Sequence, residues 1–409
     1  MTFHRIELAN GLTVIGEPNP AARSMAAGYF VRTGARDETP EINGVSHFLE
    51  HMMFKGTARR SADDINREFD EIGANYNAFT SEENTVYFGA VLPEYQWRVI
   101  DLLTDMMQPA LRLEDFDMEK HVILEEIAMY EDRPQFWVSD LARSAFYEGH
   151  PLGYPVLGTT ESIRRLTREQ MYEYWRRRYA SNNLFLALTG NYDWESAVRQ
   201  VTELTATWRR ADAPRDVAAP PGRKVARAVP RPNLQQEHLC FVFPGISAQN
   251  DAMFAAEVLA VAIGAPVGSR LYWRLIEPGL ATTAQMSHSE EDGTGQFYVY
   301  VACPPERTAT IVAIVREVLA EATAQGLPPD EIERAKRKVA SELVLQGETP
   351  FGRLLHVGFD WQYRRQLRPL SEVVDRFLAV TPEEVAAVLA RRPFETETLV
   401  ALGPAERIE

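Results

Sequence analysis

One order of elements occurs twice in this chain. From Val86 to Met107 an apolar strand passes through Pro93-Glu94 into a helix-forming run, and from Phe297 to Leu319 the same order returns around Pro305-Glu306. Asp117-Met118-Glu119 is then matched by Glu331-Ile332-Glu333, which makes an internal repeat of about 212 residues. Between the copies, residues 211–232 are rich in Pro, Ala and Arg, with Asp and Lys among them, and hold no large apolar side chain other than valine, so they read as an exposed linker. A chain of 409 residues also exceeds what one hydrophobic core fills comfortably. The expected organisation is a first domain over 1–210, a linker over 211–232 and a second, similar domain over 233–409.

Within the first copy, Ile6 to Ala9 and Leu12 to Ile15 flank Asn10-Gly11 as a hairpin. Ala27 to Thr33 reads as a strand, Ser61 opens a helix with Ile65, Phe69 and Ile72 on one face, and Asn84 to Leu92 is a strand leading to a helix over Tyr95 to Met107. Thr167 and Gln170 form a capping box for a helix reaching Tyr179, Leu184 to Leu188 is a strand, and Asp193 opens a helix ending near Arg210. The second copy has a strand over His238 to Phe243, helices over Asp251 to Ile263 and around Arg270 to Ile276, a strand over Gln296 to Cys303 and a helix after Pro305-Glu306. The fold class is α+β, two similar domains, each a mostly antiparallel sheet with helices on one face.

The copies differ in one respect that bears on chemistry. Residues 44–57 contain His47, Glu50 and His51 as an H-x-x-E-H array, whereas the corresponding run of the second copy, Glu257-Val258-Leu259-Ala260-Val261, is apolar. On a helix His47 and His51 stand one turn apart and Glu50 lies on the same side, so two imidazoles and a carboxylate converge. Val45, Phe48, Leu49, Met52, Met53 and Phe54 make this a largely buried helix, and buried polar groups need partners. The pattern is a zinc-hydrolase site in outline, with the order of H-E-x-x-H inverted. Catalytic zinc takes three protein ligands and keeps a fourth position for water. A further ligand is offered by the helix marked by Phe116, Val122, Ile123, Ile127 and Tyr130 and ended by Pro134, where Glu119 and Glu126 are two turns, about 10.5 Å, apart on one face while Glu125 points elsewhere.

Composition bounds the partners. With 45% hydrophobic and 25% charged residues the chain reads as soluble and globular, and a formal net charge of -15 argues against nucleic-acid binding. The two cysteines, Cys240 and Cys303, are no disulfide framework and suit a reducing compartment. The N-terminal residues have neither a basic n-region nor an apolar run, and the longest apolar stretch, Met253 to Val267, is too short to span a bilayer and contains Glu257. A cytoplasmic location without membrane association is expected.

The array His47-Phe48-Leu49-Glu50-His51, followed about 75 residues later by Val122-Ile123-Leu124-Glu125-Glu126 with Glu119 before it, resembles the pitrilysin/insulinase-type (M16) metallopeptidases, in particular their short two-domain members. The likeness extends through Gly73 to Thr80, Glu83 to Tyr87, His150 to Gly153, Gly158-Thr159 and Gly190-Asn191, nearly the whole chain. The resemblance implies that His47, His51 and Glu126 hold one zinc ion, that Glu50 activates the zinc-bound water as base, and that Glu119 orients a ligand histidine. It implies that Asn77, Ala78, Phe79 and Thr80 lie on an edge strand that pairs with the backbone of an extended peptide substrate. It also implies two halves arranged as a clamshell around an enclosed cavity, of which this chain forms one half.

One segment departs from the family pattern. Active members carry an Arg and a Tyr around a Gly-Leu-Ala-Tyr-like segment, and aligning Gly279-Leu280-Ala281 puts Leu275 and Thr282 at those positions, with Arg274 one residue off. Loss of one oxyanion donor costs ~10²–10³ in rate. The expectation is a zinc endopeptidase that needs a second subunit of the same family, identical or different, to supply the Arg and Tyr. The alternative is a non-catalytic assembly or peptide-binding subunit with a vestigial zinc site, and an intact Glu50 argues against it.

Overall fold

Asn10-Gly11 turns the chain back on itself, with Gly11 at φ 91°, so that β1 (His4–Glu7) pairs antiparallel with β2 (Thr13–Pro18). The computed structural model describes residues 2–408. After β3 (Met25–Val31) come α1 (Val45–Met53) and α2 (Ala62–Glu71), then β4 (Asn75–Thr80) and β5 (Thr85–Val91). Helices α3 (Gln96–Met106), α4 (Leu113–Glu131), α5 (Pro134–Phe146), α6 (Thr160–Arg165) and α7 (Arg168–Arg178) precede β6 (Leu184–Gly190) and α8 (Trp194–Leu204). The capping signals act where expected: Ser61 accepts from the Asp64 amide, Thr167 from the Gln170 amide and Asp193 from the Ser196 amide.

The second copy runs β7 (Val225–Pro230), β8 (Glu237–Pro244), α9 (Ala252–Gly264), a short π-helical turn (Tyr272–Ile276), β9 (Thr283–Glu291) and β10 (Thr294–Cys303). It closes with α10 (Thr308–Gln325), α11 (Pro329–Gln346), α12 (Pro350–Arg364), α13 (Leu370–Leu378), α14 (Pro382–Leu389) and β11 (Thr398–Gly403). The two sheets have orders β1-β2-β6-β3-β5-β4 and β7-β11-β8-β10-β9. Apart from the extra β1 they correspond strand for strand. In each, one parallel pair, β2 with β6 and β7 with β11, is followed by antiparallel neighbours. The repeat read from Pro93-Glu94 and Pro305-Glu306 is a repeat of sheet topology.

The compact units cut the chain differently from its linear order. One comprises residues up to Ala128, Tyr154–Asp216 and Gln346–Pro369; the other comprises Met129–Gly153, Val217–Leu345 and residues from Leu370 onward. Helix α5, which follows α4, belongs to the second sheet, and α12, which follows α11, belongs to the first. In the first unit the helical layer packs on one sheet face through Phe48, Phe69 and Phe116. On the opposite face α12 sets Leu354, Val357 and Trp361 against Ile15, Phe30 and Phe185. Each such fully buried side chain contributes about 1.5–3 kcal/mol. Burial on both faces is why every residue of β3 and of β6 is inaccessible and both read as continuous apolar runs. Arg353 anchors α12 through a buried bidentate pair with Glu17 of β2, at 2.7 and 2.9 Å. In the second unit α5 plays the matching part, with Val138, Ala142 and Phe146 against Val242 and Val400.

Three expectations need correction. Residues 211–232 are not linker throughout: Val225–Pro230 is edge strand β7, whose Arg, Pro and half-exposed pattern hides a strand that has only one neighbour. Arg215 in the same stretch is buried against Asp37, Nε to Oδ1 at 3.0 Å. Pro134 does follow the end of α4, but it is also the first residue of α5, where its missing N–H costs nothing. Helix α8 ends at Leu204 rather than near Arg210. Cys240 and Cys303 are free and buried. Among the described residues no helix is long and apolar enough to cross a membrane.

Candidate metal centre

Helix α1 begins at Gly44, whose φ of 91° is left-handed and whose Cβ, if present, would stand 2.6 Å from the Leu157 carbonyl oxygen. Only glycine fits that approach. The apolar side of α1 fills the core, and Phe48 stacks on Phe116 of α4 with ring centroids 4.7 Å apart, which docks the two helices. Their polar residues are thereby brought together. His47 and His51 present their Nε2 atoms at 3.7 and 3.5 Å from Glu126 Oε2, and one atom from each of the three residues lies within 4.8 Å of the others.

These separations are too long for direct hydrogen bonds. They suit three ligands around one zinc, since bonds of 2.0–2.2 Å in tetrahedral geometry place ligand atoms about 3.3–3.6 Å apart. The donor set, two imidazoles and a carboxylate, is also one that zinc takes. Burial, with a smaller contribution from the charge on His51, pulls the His47 imidazole down to about 3, so it stays neutral and keeps a lone pair for a metal. Its Nδ1 is buried without a hydrogen-bond partner among the described residues.

Glu119 lies beside His51 rather than His47. Its Oε1 is 2.8 Å from His51 Nδ1, and because a carboxylate only accepts, Nδ1 carries the proton and Nε2 is left free to ligate. Burial alone would lower the basicity of His51, but the Glu119 hydrogen bond and the charges of Glu126, Glu50 and Glu119 together outweigh it and raise the pKa. The other oxygen of Glu119 meets Lys55 Nζ at 2.6 Å. Burial would raise the Glu119 carboxyl, yet hydrogen bonds from His51 and Lys55 prevail and hold it below its usual range, ionised. Nothing in the local pattern marks Lys55, because its partner comes from another helix.

Glu50 projects from α1 toward the edge of the sheet, where Thr80 Oγ1 donates to its Oε2 at 2.6 Å. Burial raises its pKa, reinforced by Glu126 and opposed by the Thr80 hydrogen bond and by His51. Strand β4 is terminal in its sheet and pairs only with β5. Its residues alternate. Asn77 is exposed and its Oδ1 accepts the Ala78 N–H at 2.9 Å, Ala78 is buried, and Phe79 packs toward Phe359 of α12 on the opposite face. Thr80 is therefore occupied by Glu50, and the Phe79 side chain faces away from His47, His51 and Glu126.

Among the described residues of the second unit, His47, His51 and Glu126 have no counterpart as a candidate metal group: α9 is largely apolar and ten of its residues are buried. Leu275 is fully buried in the core, while Thr282 donates to the Ala302 carbonyl at 3.1 Å and accepts from Gln236 at 2.9 Å. Arg274 is held by Glu317 at 2.5 Å and Glu321 at 3.5 Å, both on α10.

Comparison with known proteins gives the following matches. Residues 13–160 match the insulinase model of peptidase family M16, and residues 165–339 match the model described as the M16 inactive domain. An uncharacterized zinc protease of Streptomyces coelicolor is 35% identical, covering 98% of this chain and 90% of the relative. The uncharacterized zinc protease YmxG of Bacillus subtilis is 32% identical, covering 97% of each. A protease from Helicobacter pylori shares the fold, with a TM-score of 0.91 at 19% identity over 98% of this chain and 99% of that one.

Proposed function

The chain belongs to the insulinase-type (M16) peptidase family, and on that premise we propose that it is a zinc-dependent endopeptidase acting on extended or unfolded peptides. The observation that carries the reading is the convergence of His47, His51 and Glu126 on one point with the non-ligand carboxylate of Glu50 beside it. Zinc held there supplies a Lewis acid that polarises a peptide carbonyl and lowers the pKa of bound water toward about 7.

The chain's own residues do the rest. His47 contributes a neutral imidazole, and Glu119 keeps the His51 ring in its ligating tautomer. Glu50, held at Oε2 by Thr80, takes a proton at Oε1 from the attacking water and returns it to the leaving amine nitrogen. Its raised pKa suits that exchange better than an ordinary surface carboxylate would. The open edge of β4 pairs with substrate main chain, which reads extension rather than side-chain identity. Leu275 and Thr282 donate nothing to a developing oxyanion, so a second family subunit, identical or different, supplies the Arg and Tyr and completes an enclosed cavity. A non-catalytic assembly or peptide-binding subunit would have no use for a base placed as Glu50 is.

The test is metal analysis of the purified chain together with hydrolysis of an unstructured peptide, alone and with a family homologue that has the Arg/Tyr pair. About one zinc per chain is expected, with activity that rises on complementation and falls by several orders of magnitude in Glu50→Gln without loss of zinc. Absence of zinc, or parental activity in Glu50→Gln, would overturn the reading.

A further inference from the structure

Helix α1 cannot cap itself. Its N-cap is Gly44, which has no side chain to accept from the amides of the first turn, and those amides need acceptors because they have none within the helix. Glu38, which follows a 3₁₀ turn at Ala35–Asp37, provides them from outside. Its Oε2 accepts the Gly44 N–H at 2.7 Å and Asn43 Nδ2 at 2.9 Å, and its Oε1 accepts the Ser46 N–H at 2.8 Å. The residue is 4% exposed, and no cation pairs with it among the described residues. A negative charge at a helix N-terminus is favourable, and this helix carries His47, Glu50 and His51.

We propose that Glu38 is a positioning residue for the metal centre, fixing the start and axis of α1 so that His47, Glu50 and His51 meet Glu126. The inference rests on the reading that these residues hold zinc. The energetics of folding argue against a purely structural role. Burial pushes the Glu38 carboxyl up to about 7 even though the hydrogen bonds from Ser46, Gly44 and Asn43 act the other way. A folded-state pKa above the unfolded value means that the stability this group contributes is present below about 4.5 and lost as the pH rises to about 7. Above that pH the ionised carboxylate, bound to the start of the helix that bears the site, is kept at a cost in stability, which fits a trade of stability for function.

The experiment compares the full-length parent with Glu38→Gln, which keeps the size of the side chain but turns one acceptor into a donor facing the helix amides, and with Glu38→Asp, which keeps the charge but shortens the reach. Zinc affinity is measured by chelator competition, hydrogen exchange at the Gly44 and Ser46 amides by NMR or mass spectrometry, and the thermal midpoint of the metal-free protein at pH 8. Glu38→Gln is expected to weaken zinc about tenfold and to speed exchange at these amides, without lowering the midpoint. Should it fail to fold, Glu38→Asp decides the matter by a smaller loss of zinc affinity in a folded protein. Parental zinc affinity and exchange in the folded variants would overturn the proposal, as would a zinc loss matched by a lowered midpoint. A parent that binds no zinc would instead overturn the zinc reading, and exchange at α1 would still decide whether Glu38 holds the helix.

Discussion

Thr80 Oγ1 donates a 2.6 Å hydrogen bond to Glu50 Oε2, so the last residue of the open edge strand holds the carboxylate that shares α1 with His47 and His51. A peptide pairing along β4 would thus be aligned by the strand that orients the base. Thr80→Val keeps the shape and removes the hydroxyl. Its kcat should fall about tenfold, with zinc affinity unchanged and Thr80→Ser near the parent. Equal loss in Val and Ser variants would show that the hydroxyl has no part in holding Glu50.

On the proposed ligand set, removing any one of the three side chains would leave two protein bonds to the metal. His47→Ala, His51→Ala and Glu126→Gln should each lose most bound zinc after dialysis, and chelation of the parent should abolish hydrolysis reversibly. Full occupancy in all three variants, measured by atomic emission, would refute the ligand set.

Lys55 reaches the candidate metal centre through Glu119, Nζ to Oε2 at 2.6 Å. Lys55→Met leaves the Glu119 carboxylate with one partner, so the His51 ring is held less firmly and zinc affinity should fall, by less than the roughly 10–100-fold expected of Glu119→Gln. If chelator competition ranked the two variants in the opposite order, Lys55 would have another role.

Acid should destabilise the second unit through His288. Its Nε2 accepts the Ile246 N–H at 3.0 Å, and burial depresses its pKa to about 4 from 6.5. The unfolded chain takes up a proton below about pH 6.5 that the folded chain refuses until about pH 4. The stability this group contributes is therefore complete above pH 6.5 and is lost as the pH falls through that window, by roughly 3 kcal/mol at most. Urea unfolding of parent and His288→Gln at pH 7 and pH 5 should show a smaller acid loss in the variant.

The Arg353–Glu17 pair ties α12 to the first sheet inside the core. Arg353→Met leaves Glu17 buried without its cation and should cost about 3–5 kcal/mol, whereas adding Glu17→Leu should recover much of that. Thermal or denaturant unfolding of the single and double variants checks the order.

The side of α1 that carries His47, Glu50 and His51 and the Glu119/Glu126 spacing on α4 were legible because both are helical periodicity, a property of residues three to seven apart. The repeated topology was legible for a similar reason: Pro93-Glu94 and Pro305-Glu306 punctuate the same strand-to-helix passage in each copy. The strand at Val225–Pro230 was not, since an edge strand with one neighbour carries little of the apolar alternation that marks a strand. Helix α5 was hidden by Pro134, which reads equally as the end of one helix and the first residue of the next.

What the sequence determined by itself was the pair of domains, the helix bearing His47, Glu50 and His51, and the candidate third ligand. Only the tertiary structure decided that Glu119 serves His51, that Lys55 backs Glu119, that Thr80 holds Glu50, that Glu38 caps α1, and that α5 and α12 pack on sheets other than those of their own halves. The reason is separation along the chain: His51 and Glu119 are 68 residues apart and Glu17 and Arg353 are 336 apart, and no local period links such residues until packing brings them together.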